Sequence, residues 1–230
     1  MTKSTQPIIK LTNVWKTYQM GETQVHALRG LNLEVYEGEF VAIMGKSGAG
    51  KSTAMNLIGC LDIPTSGVIE LNSKNISHMS ESSLAQIRGK TIGFIFQKFN
   101  LINTLSAKEN IVLPLIFQDY SLEQREKIAK KLLQMVELED RQNHKPNELS
   151  GGQQQRVAIA RALATNPKVI LADEPTGNLD SKTGDKVIDF LKTLHKEGKT
   201  IVMVTHDEDL AKVAQRIEIL SDGQIIKHKK

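Results

Sequence analysis

Four apolar runs frame this chain: FVAIM at 40–44, IGFIF at 92–96, KVILAD at 168–173 and TIVMVTH at 200–206. Each is nearly all apolar rather than alternating. That pattern belongs to strands buried on both faces, as in a parallel sheet covered by helices. Ahead of them, from Ile8 to about Met44, short β-rich runs (IIKLTNV, HALRGLNLEV) alternate with turn residues and predict an antiparallel sheet leading into the first buried strand. Between the second and third runs lie about 70 residues without a strong strand. There SLEQREKIAKKLLQMVEL puts Leu122, Ile128, Ala129, Leu132, Leu133 and Val136 on one helical face, with Ser121 and Gln124 as a capping box. The expectation is an α/β domain carrying an inserted helical subdomain at about 98–165. Near the end, RIEILSDGQIIKH predicts a hairpin turning at Asp222-Gly223.

Composition narrows this picture without redirecting it. The 230 residues suffice for one large domain or two small ones, and a formal charge of +4 is too weak a bias to argue for a nucleic-acid partner. The longest apolar stretches, such as Ile111–Phe117, are about a third of a membrane span, and no signal peptide opens the chain. A soluble, cytoplasmic protein is therefore expected. The single cysteine, Cys60, falls on the apolar side of a predicted helix, where it reads as a small core hydrophobe with no disulfide partner in the chain.

The chemistry begins at GKSGAGKS, which follows the first buried strand and precedes the helical run KSTAMNLIGCL. Gly45, Lys46, Ser47, Gly48, Ala49 and Gly50 form a loop whose backbone N–H groups can turn inward on a polyphosphate. The positive end of the helix dipole stands behind it. Lys51 is then in reach of the β- and γ-phosphates, the Ser52 hydroxyl is placed to ligate Mg²⁺, and Thr53 continues the same turn. A metal-holding acid is needed as well, and VILADE supplies it at a strand end. Asp173 is positioned to hold Mg²⁺ directly or through water, and Glu174 to orient or deprotonate the attacking water. His206 ends the fourth run before a helix-capping Asp207, and Gln97 ends the second. Four strands thus deliver four functional ends to one carboxyl edge, the edge at which open α/β sheets bind ligands.

LSGGQQQR, Leu149 to Arg156, opens another helix. Ser150 and Gln153 fit a capping box, which accounts for two of its residues but not for the glycines. Gly151 and Gly152 strip side chains from a helix N-terminus and so expose N–H groups to any anion that comes close.

With these motifs assembled, the chain resembles the ATP-binding cassette (ABC) ATPases over nearly its whole length. Tyr18 is similar to the aromatic that stacks on adenine, with Trp15 the competing ring three residues away. GKSGAGKS resembles the Walker A, Gln97 the Q-loop, LSGGQ the signature, ILADE the Walker B, Asn178-Leu179-Asp180 the D-loop and His206 the switch histidine. The resemblance implies a P-loop NTPase fold with a RecA-like core sheet, an N-terminal antiparallel β-subdomain and a helical insertion. It also implies ATP and Mg²⁺ as ligands, with Gln97 joining Ser52 and Asp173 around the metal and Asp180 near the nucleotide. A second copy, packed head to tail, supplies the LSGGQ that covers each ATP. IGCLD, FQKFNLI and ADEPTGNLDSKTG resemble the subgroup that serves lipoprotein-release and macrolide-export transporters and their cell-division relatives. That implies integral-membrane permease partners and a place on the inner face of the plasma membrane, for export of a hydrophobic substrate or, alternatively, for transmembrane signalling. Asn178 departs from the Ser or Ala of many relatives and Lys46 from a common Pro, and neither change removes a phosphate or metal ligand.

Overall fold

The computed structural model describes residues 6–229. The chain opens with a long antiparallel hairpin, β1 (Pro7–Met20) and β2 (Thr23–Tyr36), and continues into β3 (Phe40–Met44) and α1 (Lys51–Ile58). Then follow β4 (Ser66–Leu71), β5 (Lys74–Asn75), α2 (Glu81–Thr91) and β6 (Ile92–Ile95). Three helices separate β6 from the next strand: α3 (Ala107–Ile116), α4 (Leu122–Met135) and α5 (Gly151–Leu163). The last third runs β7 (Val169–Asp173), α6 (Ser181–Lys196), β8 (Thr200–Thr205), α7 (Glu208–Ala211), β9 (Arg216–Ser221) and β10 (Gln224–Lys229).

These strands form two sheets. One is antiparallel in the order β2-β1-β4-β5, and the other runs β10-β9-β3-β8-β7-β6. In the second, β9, β3, β8, β7 and β6 are mutually parallel and only β10 is antiparallel to its neighbour. Three of the four apolar runs, β3, β8 and β7, are inner strands and the fourth, β6, is an edge strand, and alternate residues serve two cores. Phe40, Ala42, Ile170, Ala172, Ile201 and Met203 pack with α3, α4, α5 and α6. Val41, Ile43, Val169, Leu171, Val202 and Val204 pack with α1 and the β1–β2–β4 sheet. Burial on both faces explains why none of these strands alternates.

Several elements differ from the sequence reading. The N-terminal runs are two strands of 14 residues each, bent by register shifts, rather than several short ones. β4 and α2 carry too little pattern to be seen in isolation: β4 acquires its meaning by pairing with β1, and α2 buries only Leu84. α4 has the capping box and buries Ala129, Leu132 and Leu133, but Leu122 is 66% exposed because the helix turns its first residue outward. Helix α1 stops at Ile58, so Cys60 reaches the core from the turn beyond it, in a left-handed conformation. Its carbonyl accepts a 2.6 Å hydrogen bond from Arg88 Nη1.

Candidate nucleotide site

The loop between β3 and α1 curves tightly, and Gly50, the residue that caps α1, sits at φ 101°, a backbone region that favours glycine. No side chain caps α1 and no acid lies in its first turn, so its N-terminal dipole is uncompensated by protein charge. Lys51 Nζ donates to the carbonyls of Gly45 (2.7 Å) and Lys46 (3.0 Å), which folds the ammonium over the mouth of the loop. The Ala49 N–H is occupied by a turn to the Lys46 carbonyl at 3.2 Å. Lys46, Ser47, Gly48 and Ser52 are exposed. Behind the loop stands the C-terminal hairpin: Gly223 donates to the Ala49 carbonyl at 3.0 Å and accepts from the Arg29 N–H of β2 at 3.0 Å. The turn expected at Asp222-Gly223 therefore also braces the loop.

β8 lies between β3 and β7, with Met44 opposite Thr205 and Val204 opposite Asp173. This order brings Lys51, Asp173, Glu174 and His206 to one edge. Asp173 accepts no hydrogen bond among the described residues. Burial lifts its carboxyl above the ordinary range, the Glu174 carboxylate adds to the rise, and the Lys51 ammonium opposes it. Glu174 adopts φ 44°, a left-handed conformation that costs a non-glycine residue of order 1–3 kcal/mol. Its Oε1 accepts from the His206 N–H at 3.0 Å and lies 2.6 Å from His206 Nδ1, while Thr205 Oγ1 donates to Oε2 at 3.2 Å. Thr205 Oγ1 in turn accepts from the Asp207 N–H at 3.0 Å. The strained turn is thus over-determined by three bonds. With the carboxylate ionised, Nδ1 carries the imidazole proton and Nε2 is left as the free acceptor on a ring that is 70% exposed.

Oxygen donors suited to a hard divalent cation are present at this edge. Among the described residues no three His, Cys, Asp or Glu side chains gather to hold a metal. Ser52, Asp173 and Gln97 offer instead a hydroxyl, a carboxylate and an amide oxygen, the donor types that suit a Mg²⁺ completed by substrate phosphates.

Tyr18 lies beside the loop, within side-chain hydrogen-bond reach of Thr53, and donates to Asp62 Oδ2 at 2.9 Å. Lys16 Nζ sits 4.9 Å from its ring centroid and pairs with Asp62 at 2.6 Å. The competing ring, Trp15, stands edge-on to His26 and donates to Asn13 Oδ1 instead.

The LSGGQ residues stand apart. The Ser150–Gln153 capping box forms, with the Gln153 N–H donating to Ser150 Oγ at 3.3 Å and the Ser150 N–H to Gln153 Oε1 at 2.9 Å. A cavity of about 400 Å³ beside them is lined by Ser150, Gly152 and Gln153 with parts of α4 and α6, and by no residue of the phosphate loop. The two glycines have different causes. A Cβ on Gly152 would meet Thr183 Cγ2 at 2.5 Å, so close packing against α6 requires that glycine. A Cβ on Gly151 would meet nothing nearer than 3.8 Å, and only exposure of its backbone accounts for it. Asp180 caps α6, accepting from the Thr183 N–H at 3.1 Å, and hydrogen bonding from the Thr183 hydroxyl first and its N–H second holds the carboxyl below the usual carboxylate range.

The profile of the ABC transporter family matches residues 28–177. The chain belongs to that family. It is an ABC ATPase, an ATP-binding cassette. It is 56% identical over 228 residues to the uncharacterized ABC transporter ATP-binding protein MJ0796 of Methanocaldococcus jannaschii, covering 97% of each chain. It is 49% identical to the macrolide export ATP-binding/permease protein MacB of Chlorobaculum tepidum, matching 97% of this chain and 34% of that longer one. Among solved structures, the MJ0796 cassette in a dimeric post-hydrolysis state bound to ADP and Pi superposes with a TM-score of 0.89 at 54% identity, covering 96% and 98% of the two chains.

Two side chains of this cassette, Gln155 and Arg161, escaped the sequence reading, and together with Asn178, read there only as a D-loop residue, they grip backbone carbonyls. Gln155 is fully buried and donates to the Pro175 carbonyl at 2.7 Å, next to Glu174; its own Oε1 has no partner among the described residues. Arg161 donates to the carbonyls of Asn100 (2.6 Å) and Phe99 (2.9 Å), and Asn178 Nδ2 to that of Gln97 (2.7 Å). Side-chain bonds to carbonyls leave no motif, because any residue can supply the acceptor.

Proposed function

We propose that two copies of this chain close head to tail around two ATP molecules and that their hydrolysis drives a membrane permease exporting or extracting a hydrophobic substrate. The observation that carries the proposal is the separation of two half-sites. The phosphate loop, Asp173 and the Glu174–His206 pair share one sheet edge, whereas Ser150, Gly151 and Gly152 belong to a helix start that opens on a different cavity. One chain therefore offers each nucleotide only half of a site, and the dimeric MJ0796 structures supply a precedent for a second copy.

In this reading the adenine stacks on Tyr18, and residues 45–53 wrap the phosphates, with Lys51 neutralising the β- and γ-oxygens. Ser52, Asp173 and Gln97 hold Mg²⁺, which when bound supplies further charge neutralisation on the phosphates. Glu174 orients the water oxygen in line with the γ-phosphorus and receives its proton as the bond to ADP breaks. His206 supports Glu174 by donating through Nδ1 to its carboxylate. The partner's Ser150 and Gly151 amides cover the remaining phosphate oxygens, and Asp180 lines the seam between the copies. The helices α3 to α5 act as a subdomain, at about 98–165, whose exposed Ile102, Ile116 and Phe117 meet a permease helix. No helix among the described residues is long and apolar enough to cross a membrane, so the chain sits on the inner membrane face through that permease. The likeness to MacB, a macrolide export ATP-binding/permease protein, supports export.

The test is Glu174→Gln. The variant binds ATP, loses roughly 10² to 10⁴ in turnover, the range for a positioned acid or base, and accumulates as an ATP-bound dimer. Near-normal turnover would remove Glu174 from its assigned role. Lipid- or drug-stimulated ATPase activity of the complex with the permease separates export from signalling.

A further inference from the structure

The segment from Gln97 to Asn100 follows β6 without regular structure, and Asn100 is left-handed at φ 49°. A stretch with no ladder or helix of its own must have its carbonyls satisfied from outside. Three of them are taken by two side chains. Asn178 Nδ2 reaches the Gln97 carbonyl at 2.7 Å from the loop after β7, and Arg161 reaches those of Phe99 and Asn100 at 2.9 and 2.6 Å from α5. Packing reinforces both grips. The Gln97 side chain lies against Gly177, where an added Cβ would meet its Nε2 at 2.7 Å, and the Phe99 ring faces Gly151 in the first turn of α5. The largely buried Arg161 guanidinium donates to these carbonyls from both terminal nitrogens.

We infer that Asn178 and Arg161 are positioning residues for Gln97, clamping its segment between the loop that follows Glu174 and the helix that carries LSGGQ. The inference rests on the proposed reading of Gln97 as a metal-side residue and assigns what holds it there. Because Arg161 stands on the LSGGQ helix, any displacement of that helix moves Gln97. The geometry at a subunit's own nucleotide then depends on the helix that meets its partner's. Asn178 departs from the Ser or Ala of many relatives in a direction that matters here: neither shorter side chain carries an amide donor.

The experiment compares Asn178→Ala, Asn178→Asp and Arg161→Met with Gln97→Ala. Asp has nearly the shape of Asn but cannot donate to a carbonyl when ionised, so a space-filling role would tolerate it and a donor role would not. Hydrogen exchange of the protein without nucleotide is expected to quicken in a peptide spanning 97–101 in both Asn178 variants, with the phosphate loop and melting temperature little changed. The Mg²⁺ concentration for half-maximal turnover rises about 10-fold, the scale of losing a support behind a metal ligand. Combining Asn178→Ala with Arg161→Met gives less than the product of the single effects, since both act through one segment. Unchanged exchange and Mg²⁺ dependence in both Asn178 variants, beside a Gln97→Ala that does change the Mg²⁺ dependence, would overturn the inference while sparing the Gln97 reading. A Gln97→Ala without effect on Mg²⁺ dependence removes the reading itself, and the inference with it.

Discussion

Asp173 is held in surroundings that penalise its charge: it is half-buried at a strand end beside a second carboxylate, and the Lys51 ammonium only partly offsets this. A carboxyl whose pKa is raised by folding binds more protons in the native state than in the unfolded one. Its favourable contribution is complete below the unfolded pKa and is lost as pH rises through the folded one. At neutral pH the site therefore carries a cost, and Asp173→Asn is expected to raise the melting temperature of the nucleotide-free protein while abolishing turnover. A lowered melting temperature would contradict the burial argument. Cys60 has the opposite use of burial. Its thiol is pushed up to about 11, chiefly by loss of solvent and with Arg88 opposing, so at pH 8 only about one part in a thousand is thiolate. Maleimide labelling should be negligible in the folded protein and complete after denaturation. The chemistry-bearing side chains, Lys51, Asp173, Glu174 and His206, were legible because strand patterns placed all of them at one edge. Thr205, Gln155 and Arg161 were not, because their work is to bond to a neighbouring side chain or to bare carbonyls.

The helix α5 shows how one element carries two causes at adjacent residues. Gly152 is imposed by the approach of Thr183 from α6, a tertiary contact no local pattern reveals, whereas Gly151 packs against nothing that requires a glycine. Gly151→Ala should leave the fold intact, with a gain of up to about 1 kcal/mol from better helix propensity, and yet lose ATP-dependent dimerisation. Gly152→Ala should destabilise the monomer by roughly 1–3 kcal/mol as the Thr183 methyl is displaced. Urea denaturation beside sedimentation in ATP separates the two, and equal behaviour of both variants would contradict the division. Elements were readable where burial was two-sided or a cap was explicit, as in β3, β7, β8, α4 and α5. They were lost where meaning came from a partner: β4 is a strand because β1 is beside it, and α2 buries a single leucine.

The molecule is two sheets and a helical layer, and in the proposed reading the carboxyl edge of the parallel sheet takes one side of a nucleotide while the helical layer presents the other side elsewhere. Patterning already places the loop, the acids and the histidine at one edge, and the assembled structure adds that LSGGQ opens on its own cavity. The central claim, that a complete site is built from two chains, is tested most directly by mixing two defective variants. Lys51→Met spoils the phosphate loop and keeps LSGGQ; Ser150→Arg spoils LSGGQ and keeps the phosphate loop. Alone, each should fail to form an ATP-dependent dimer. Mixed in equal amounts with Mg²⁺ and ATP, the two complement each other at one of their two interfacial sites. The account predicts that a dimer carrying a single ATP then appears in sedimentation. A mixture that remains as monomeric as its separate components would contradict it.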